Sequence, residues 1–121
     1  MRITNVTAVL GEEIAVDYLK KKGYKIIERN FRKGYTEIDI IAIQNDTLVF
    51  VEVKSRKSNS FGDPFESIAP WKVKNLVKTA EFYKLLHPRL PDYMRIDAVG
   101  VFLLPDDRIQ KIEHIENISG F

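Results

Sequence analysis

Glu37, Asp39, Glu52 and Lys54 are charged residues set inside two runs that are otherwise almost wholly apolar, Thr36-Glu-Ile-Asp-Ile-Ile-Ala-Ile43 and Leu48-Val-Phe-Val-Glu-Val-Lys54. The runs read as strands of a hairpin whose two-residue loop is Asn45-Asp46, with Gln44 facing Thr47. That register sets Asp39 opposite Glu52 and Glu37 opposite Lys54, and alternation along a strand puts all four on one face. Two carboxylates would then stand roughly 5 Å apart at Cβ, which destabilises a sheet unless a positive charge lies between them. A divalent cation would supply it. Hard oxygen ligands suit Mg²⁺ or Mn²⁺, and a neighbouring lysine suits a water or a phosphate. The plain reading of the same pattern is a hairpin with a solvated charged face. The residues of the hairpin alone leave both open.

The elements around the hairpin must position this face. Asn5 to Lys22 reads as an amphipathic helix, capped at Thr4, Asn5 or Thr7 and stopped at Gly23. Its polar stripe is Glu13, Asp17 and Lys20. Glu12 falls off the stripe among Ala8, Ala15, Val16 and Leu19, and either points toward the sheet or reaches round to water. Tyr24 to Asn30 reads as a first strand, followed by a basic turn, Arg32-Lys-Gly34. After the hairpin, Ser55 to Pro64 is polar and glycine-bearing, the composition of a mobile loop. Pro70 to Leu86 reads as a second helix with a core stripe of Val73, Leu76, Val77, Ala80 and Tyr83 that leaves Lys72, Lys74 and Lys78 aside. Trp71 is expected to pack, the alternative being a surface for stacking a base. Met94 to Leu104 and Ile109 to Ile115 complete the strands, the last at an edge. Asp97 is read as structural beside Arg95, and neither histidine has a partner at metal-ligand spacing.

A chain of 121 residues, 45% hydrophobic and 30% charged, is long enough for one domain with a real core. It has no cysteine, which excludes disulfides, thiolate metal sites and cysteine nucleophiles and agrees with a reducing compartment. No apolar run approaches the roughly 18 residues that a membrane span needs, so a soluble cytoplasmic protein without a membrane partner is expected. The net charge of +2 makes no case for nucleic acid by itself. Its distribution does more, because Lys20, Lys21, Lys22, Lys25, Arg29, Arg32 and Lys33 stand against Glu28 alone, and Lys54, Arg56 and Lys57 form a second cluster. Each cluster is either a solvated face or a phosphate-binding flank.

Helix, three strands, helix and strand, with an acid on the second strand and Glu-x-Lys on the third, resembles the PD-(D/E)XK nuclease superfamily. More closely, the chain resembles the small YraN-like proteins, which are similar in turn to archaeal Holliday-junction resolvases. The resemblance rests on Gly11-Glu12, Tyr18-Leu19, Gly23-Tyr24, Arg29-Asn30-Phe31-Arg32, Glu37-Ile-Asp39, Phe50-Val-Glu52-Val-Lys54-Ser-Arg56, Phe61-Gly62, Lys72 and Ile96-Asp97-Ala-Val99. Ile38 stands where the superfamily's nominal pattern has proline. The resemblance implies an α/β (α+β) fold of restriction-endonuclease type, a mixed sheet flanked by helices in the order αβββαβ with a C-terminal edge strand. It also implies Mg²⁺ or Mn²⁺ held by Asp39, Glu52 and Glu12, with Lys54 activating water or stabilising the transition state. Glu37 is left as either a further ligand or a partner for Lys54. Lys21, Lys22, Arg29, Arg32, Arg56, Lys57 and Lys72 would hold a nucleic acid backbone. The expected activity is a metal-dependent endonuclease on branched or flapped DNA, and the alternative is a nucleic-acid-binding or adaptor module without turnover. Two copies could address two strands, so a homodimer is compatible with this reading, with the edge at Ile109 to Ile115 and apolar residues such as Phe61 and Phe65 available for contact.

Overall fold

The computed structural model describes residues 5–58 and 62–121. Helix α1, Val6–Lys21, starts where Asn5 Oδ1 accepts the Ala8 N–H at 3.1 Å and stops before Gly23, whose φ of +89° a side chain would resist. Asn5 is thus the cap; Thr7 lies inside the helix, and Thr4 lies outside the described residues. Strands β1, Lys25–Lys33, β2, Thr36–Gln44, and β3, Thr47–Lys57, follow. A 3-10 turn, Pro64–Ser67, precedes helix α2, Pro70–Leu86, and strands β4, Tyr93–Leu103, and β5, Ile109–Ile115, close the chain.

The strands form one sheet in the order β1-β2-β3-β4-β5, parallel only between β3 and β4, where the chain crosses over through α2. This mixed sheet with two helices agrees with the restriction-endonuclease-like architecture expected from the sequence. Ala15, Val16 and Leu19 of α1 pack on Ile40, Ala42, Val49, Val51, Val99 and Val101 on one face. On the other, Leu76, Ala80 and Tyr83 of α2 pack on Ile38, Ile41, Leu48, Phe50 and Ile96. Burying side chains of this size stabilises by roughly 1.5–3 kcal/mol each, and β2, β3 and β4 are all covered on both faces.

Three expectations are corrected. β1 continues to Lys33, so the turn is Gly34-Tyr35, with φ of +62° at Gly34. β3 continues to Lys57, so Ser55, Arg56 and Lys57 are strand residues facing Val101, Phe102 and Leu103 of β4, not loop. Trp71 does not pack, being 67% exposed on the first turn of α2. No helix among the described residues is long and apolar enough to cross a membrane.

Candidate functional site

The β2–β3 hairpin keeps its predicted register from Gln44↔Thr47 to Ile40↔Val51, and there the ladder ends. The next residue, Asp39, uses its side chain in place of backbone pairing: Oδ2 accepts the Val53 N–H at 2.8 Å. The strands therefore part at the point where the two carboxylates would have faced each other. On the other side of Asp39 the β1 partner is also irregular, since Asn30 takes φ of +55° and is skipped between the Arg29↔Ile40 and Phe31↔Ile38 pairs. The side-chain alternation slips here too. Ile38 and Ile41 face α2, while Ile40 and Ala42 face α1. The expected single face is accordingly corrected on β2, for Glu37 and Asp39, whereas Glu52 and Lys54 on β3 do share the α2 side. Glu37 accepts from Asn30 Nδ2 at 3.0 Å and pairs with Arg32, not with Lys54.

Glu52 lies under α2 and is 5% exposed. Lys54 Nζ at 3.4 Å and Lys72 Nζ at 3.3 Å both approach its Oε1. Among the described residues its buried Oε2 has no partner. Lys72, set aside from the core stripe by the sequence pattern, is turned toward the site because the first turn of α2 runs over β3. Burial and then the Glu52 carboxylate push Asp39 up to about 7, with Glu12 and Glu37 adding to the rise and the Val53 N–H opposing it. Burial and the adjacent Lys72 ammonium lower the Lys54 pKa. Burial works against the charge on Lys72 as well, but its contacts with Lys54 and Glu52 raise its pKa overall.

Glu12 reaches this centre from α1 because Gly11 allows the helix to lie on β3. A Cβ at Gly11 would stand 1.7 Å from Ser55 Oγ and 2.8 Å from Ser55 Cβ. Of the two orientations open to Glu12, the structure has the inward one: Oε1 accepts from Arg29 at 3.3 Å and Oε2 from Asn30 Nδ2 at 3.2 Å. Asn30 thus ties Glu12 to Glu37. Three adjoining depressions meet at Asp39, one lined by Glu12, Lys54 and Arg56, one by Glu37, Glu52 and Lys72, and one by Glu12, Arg29 and Arg32. Among the described residues no three acids or histidines close into a ready metal cage. The donors still suit a hard cation: an unpartnered buried carboxylate oxygen on Glu52, and a second carboxylate, Asp39, that its neighbours make costly to ionise.

The predicted basic flanks are split. Arg29, Arg32, Arg56 and Lys72 line the depressions, and the buried Arg56 Nε lacks a partner among the described residues. Lys21 pairs with Asp17, and Lys22 donates to Tyr18, at the C-terminal end of α1, roughly 14 Å from Glu12 by helix rise. Lys57 turns outward to Asp107 at 2.6 Å and to the Pro105 carbonyl. The structure does not bring these three to the carboxylates, because i,i+4 pairing and strand alternation aim them elsewhere.

Asp97 has the structural role read for it. Fully buried, it accepts from Arg95 Nε at 2.8 Å, His114 Nε2 at 2.8 Å and the Asn117 N–H at 3.0 Å. Burial works to raise its pKa, but the hydrogen bonds from His114, Arg95 and Asn117 outweigh it and hold the carboxyl below the usual range. The 17-residue separation of Asp97 from His114 hid this pair from a reading of local spacing. Asn30 was equally silent as a site residue; an asparagine inside a strand, where a left-handed φ was needed, was its signal.

Residues 11–101 match the model of the uncharacterised protein family UPF0102. The chain belongs to the UPF0102 family. The UPF0102 protein of Syntrophomonas wolfei is 47% identical over 107 residues, covering 88% of this chain and 91% of that one. That of Persephonella marina is 47% identical over 91 residues, 75% and 78% of the two chains, and that of Alkaliphilus oremlandii 44% over 111 residues, 89% and 92%. The matched UPF0102 segment opens at Gly11, the contact that seats Glu12, and includes Asp39, Glu52, Lys54 and Lys72. This is the YraN-like family expected from the ordered set of motifs.

Proposed function

We propose that this UPF0102 protein is a divalent-cation-dependent endonuclease that hydrolyses phosphodiesters in branched or flapped DNA. The observation that carries the reading is the bare, buried Glu52 Oε2 beside an Asp39 carboxylate pushed up to about 7. Left without a cation these groups oppose one another, and such an arrangement is more often found at a functional centre than in a scaffold. Asp39 and Glu52 would hold Mg²⁺ or Mn²⁺, with Glu12 completing the set. The bound ion would neutralise the phosphate and lower the pKa of its water.

The chain's own cations divide the remaining work. Lys54 holds its proton less tightly than an ordinary lysine, which suits it to exchange a proton with the attacking water or to donate to a phosphoryl oxygen. Lys72, with its pKa raised, stays charged and keeps Glu52 oriented while Lys54 acts. Arg56 and Arg29 offer guanidinium donors for flanking phosphates, a contact that gives affinity without reading sequence. In this role Glu37 is an anchor for Asn30 and Arg32 rather than the partner of Lys54. The proposed setting is the cytoplasm. Pairing of two copies along the exposed Ile109 and Ile115 of β5 would present two such sites to two strands.

A second reading, a binding or adaptor module without turnover, draws on Glu12, whose oxygens are already engaged by Arg29 and Asn30. The two are separated by incubating the purified protein with flapped, four-way, single-stranded and duplex DNA in Mg²⁺ or Mn²⁺. Cutting that is lost in both Asp39→Asn and Lys54→Ala supports the nuclease. Retention of these DNAs without any cutting in either ion supports the adaptor.

A further inference from the structure

Two large aromatic rings stand in water on the rim of the acidic depression. Tyr35, at the β1–β2 turn, has a relative exposure of 106%, and Trp71, at the start of α2, 67%. Both line the depression that contains Glu37, Asp39, Glu52 and Lys72. Neither position requires an aromatic for folding. A turn following Gly34 favours small polar residues, and the first turn of α2 is already fixed by Pro70 and packs through Leu76, Ala80 and Tyr83. Leaving two such rings exposed beside a charged centre is therefore what needs a ligand.

We infer that Tyr35 and Trp71 form a stacking platform for unpaired bases next to the reacting phosphate. This deepens the phosphodiester reading and rests on it, by naming the substrate as a strand whose bases are unpaired at the site. In a duplex the faces of the bases are covered by their neighbours, so only a single strand, a flap or an unpaired stretch at a junction can present a π-face to a side chain. The depression carries three carboxyl groups, Glu37, Asp39 and Glu52, against one ammonium, Lys72, which disfavours phosphate where no cation is bound, whereas the rings bind bases irrespective of charge. The rings would accordingly hold the strand by its bases while its backbone crosses the Asp39–Glu52 gap. Stacking accepts any base.

Trp71 is the single tryptophan of the chain, so its fluorescence reports the contact directly. The test titrates intact protein in EDTA with a 12-mer single strand and with a blunt 12-mer duplex, following emission and, in parallel, anisotropy of a labelled strand. The expected result is quenching by the single strand but not by the duplex. Trp71→Ala and Tyr35→Ala should each weaken single-strand binding about tenfold, the order expected for loss of one stacked base, with duplex binding unchanged and Trp71→Phe restoring most of the loss. Far-UV circular dichroism of the variants checks that the fold is kept. Binding of the single strand with silent Trp71 emission, or with unchanged affinity in both alanine variants, overturns the platform and leaves the phosphodiester reading standing. Absence of binding to either form, with cations present as well, overturns both.

Discussion

Replacing Asp39 with asparagine should make the protein more stable, and by an amount that depends on pH. The folded-state pKa of about 7 compares with an ordinary 3.8, a rise of about three units. At about 1.4 kcal/mol per unit this is an upper bound of about 4 kcal/mol of destabilisation carried by the ionised carboxylate, and solvent access through the three depressions reduces it to about 2 kcal/mol. The sign follows from the raised value. Between pH 4 and 7 the folded state binds more protons than the unfolded one, so this group's contribution worsens as pH rises and is constant above about pH 7. Asparagine keeps an oxygen to accept the Val53 N–H but never ionises beside Glu52. In EDTA at pH 8, thermal unfolding of Asp39→Asn should lie about 8 °C above wild type, and the gap should close toward pH 4. Added Mn²⁺ should then raise the wild-type midpoint and leave the variant where it was. A variant less stable than wild type at pH 8, or a gap that does not change with pH, would show that burial and Glu52 do not raise the Asp39 pKa.

Gly11→Ala should destabilise the fold by about 1–3 kcal/mol despite the better helix propensity of alanine, because its Cβ would stand 2.8 Å from that of Ser55, and Ser55→Gly should restore part of the loss in chemical unfolding. Lys54→Ala should lower the cleavage rate by about 10²–10³ while the metal still binds, read from single-turnover kinetics and calorimetry on the same preparation. Asp97→Ala, which leaves Arg95 and His114 without their carboxylate, should cost about 3–5 kcal/mol at neutral pH. Because its folded pKa is depressed, that contribution is complete above about pH 4 and fades as pH falls through the lowered value, so urea midpoints of wild type and variant should converge in strong acid.

Much of this was legible in the sequence because burial on both faces of β2 and β3 leaves a charged residue there little to do except function. The order of elements, the two-residue loop and the register as far as Ile40 follow from apolar periodicity and turn chemistry. What failed was the extrapolation of that register across Asp39. A side chain that takes a backbone hydrogen bond, with an asparagine at positive φ on the neighbouring strand, shifts alternation by one residue, and no periodic pattern announces it. Charge clusters were a weaker guide than they looked. Lys21 and Lys57 belong to the basic runs but are aimed at Asp17 and Asp107, whereas Lys72, which reaches Glu52 together with Lys54, sits on a helix whose sequence pattern pointed it outward. Trp71 fell to the same cause, since the wheel gives an angle and not what covers it.

Uptake of a divalent cation in the Asp39–Glu52 gap is measured by calorimetric titration with Mn²⁺ at pH 6 in two buffers of different ionisation enthalpy. A carboxyl with a pKa of about 7 is some nine-tenths protonated at pH 6, so wild type should bind with release of roughly 0.9 proton per ion, falling to about 0.1 at pH 8, and Glu52→Gln should not bind. No heat of binding from wild type, with or without single-stranded or flapped DNA present, would show that this gap is not a cation site.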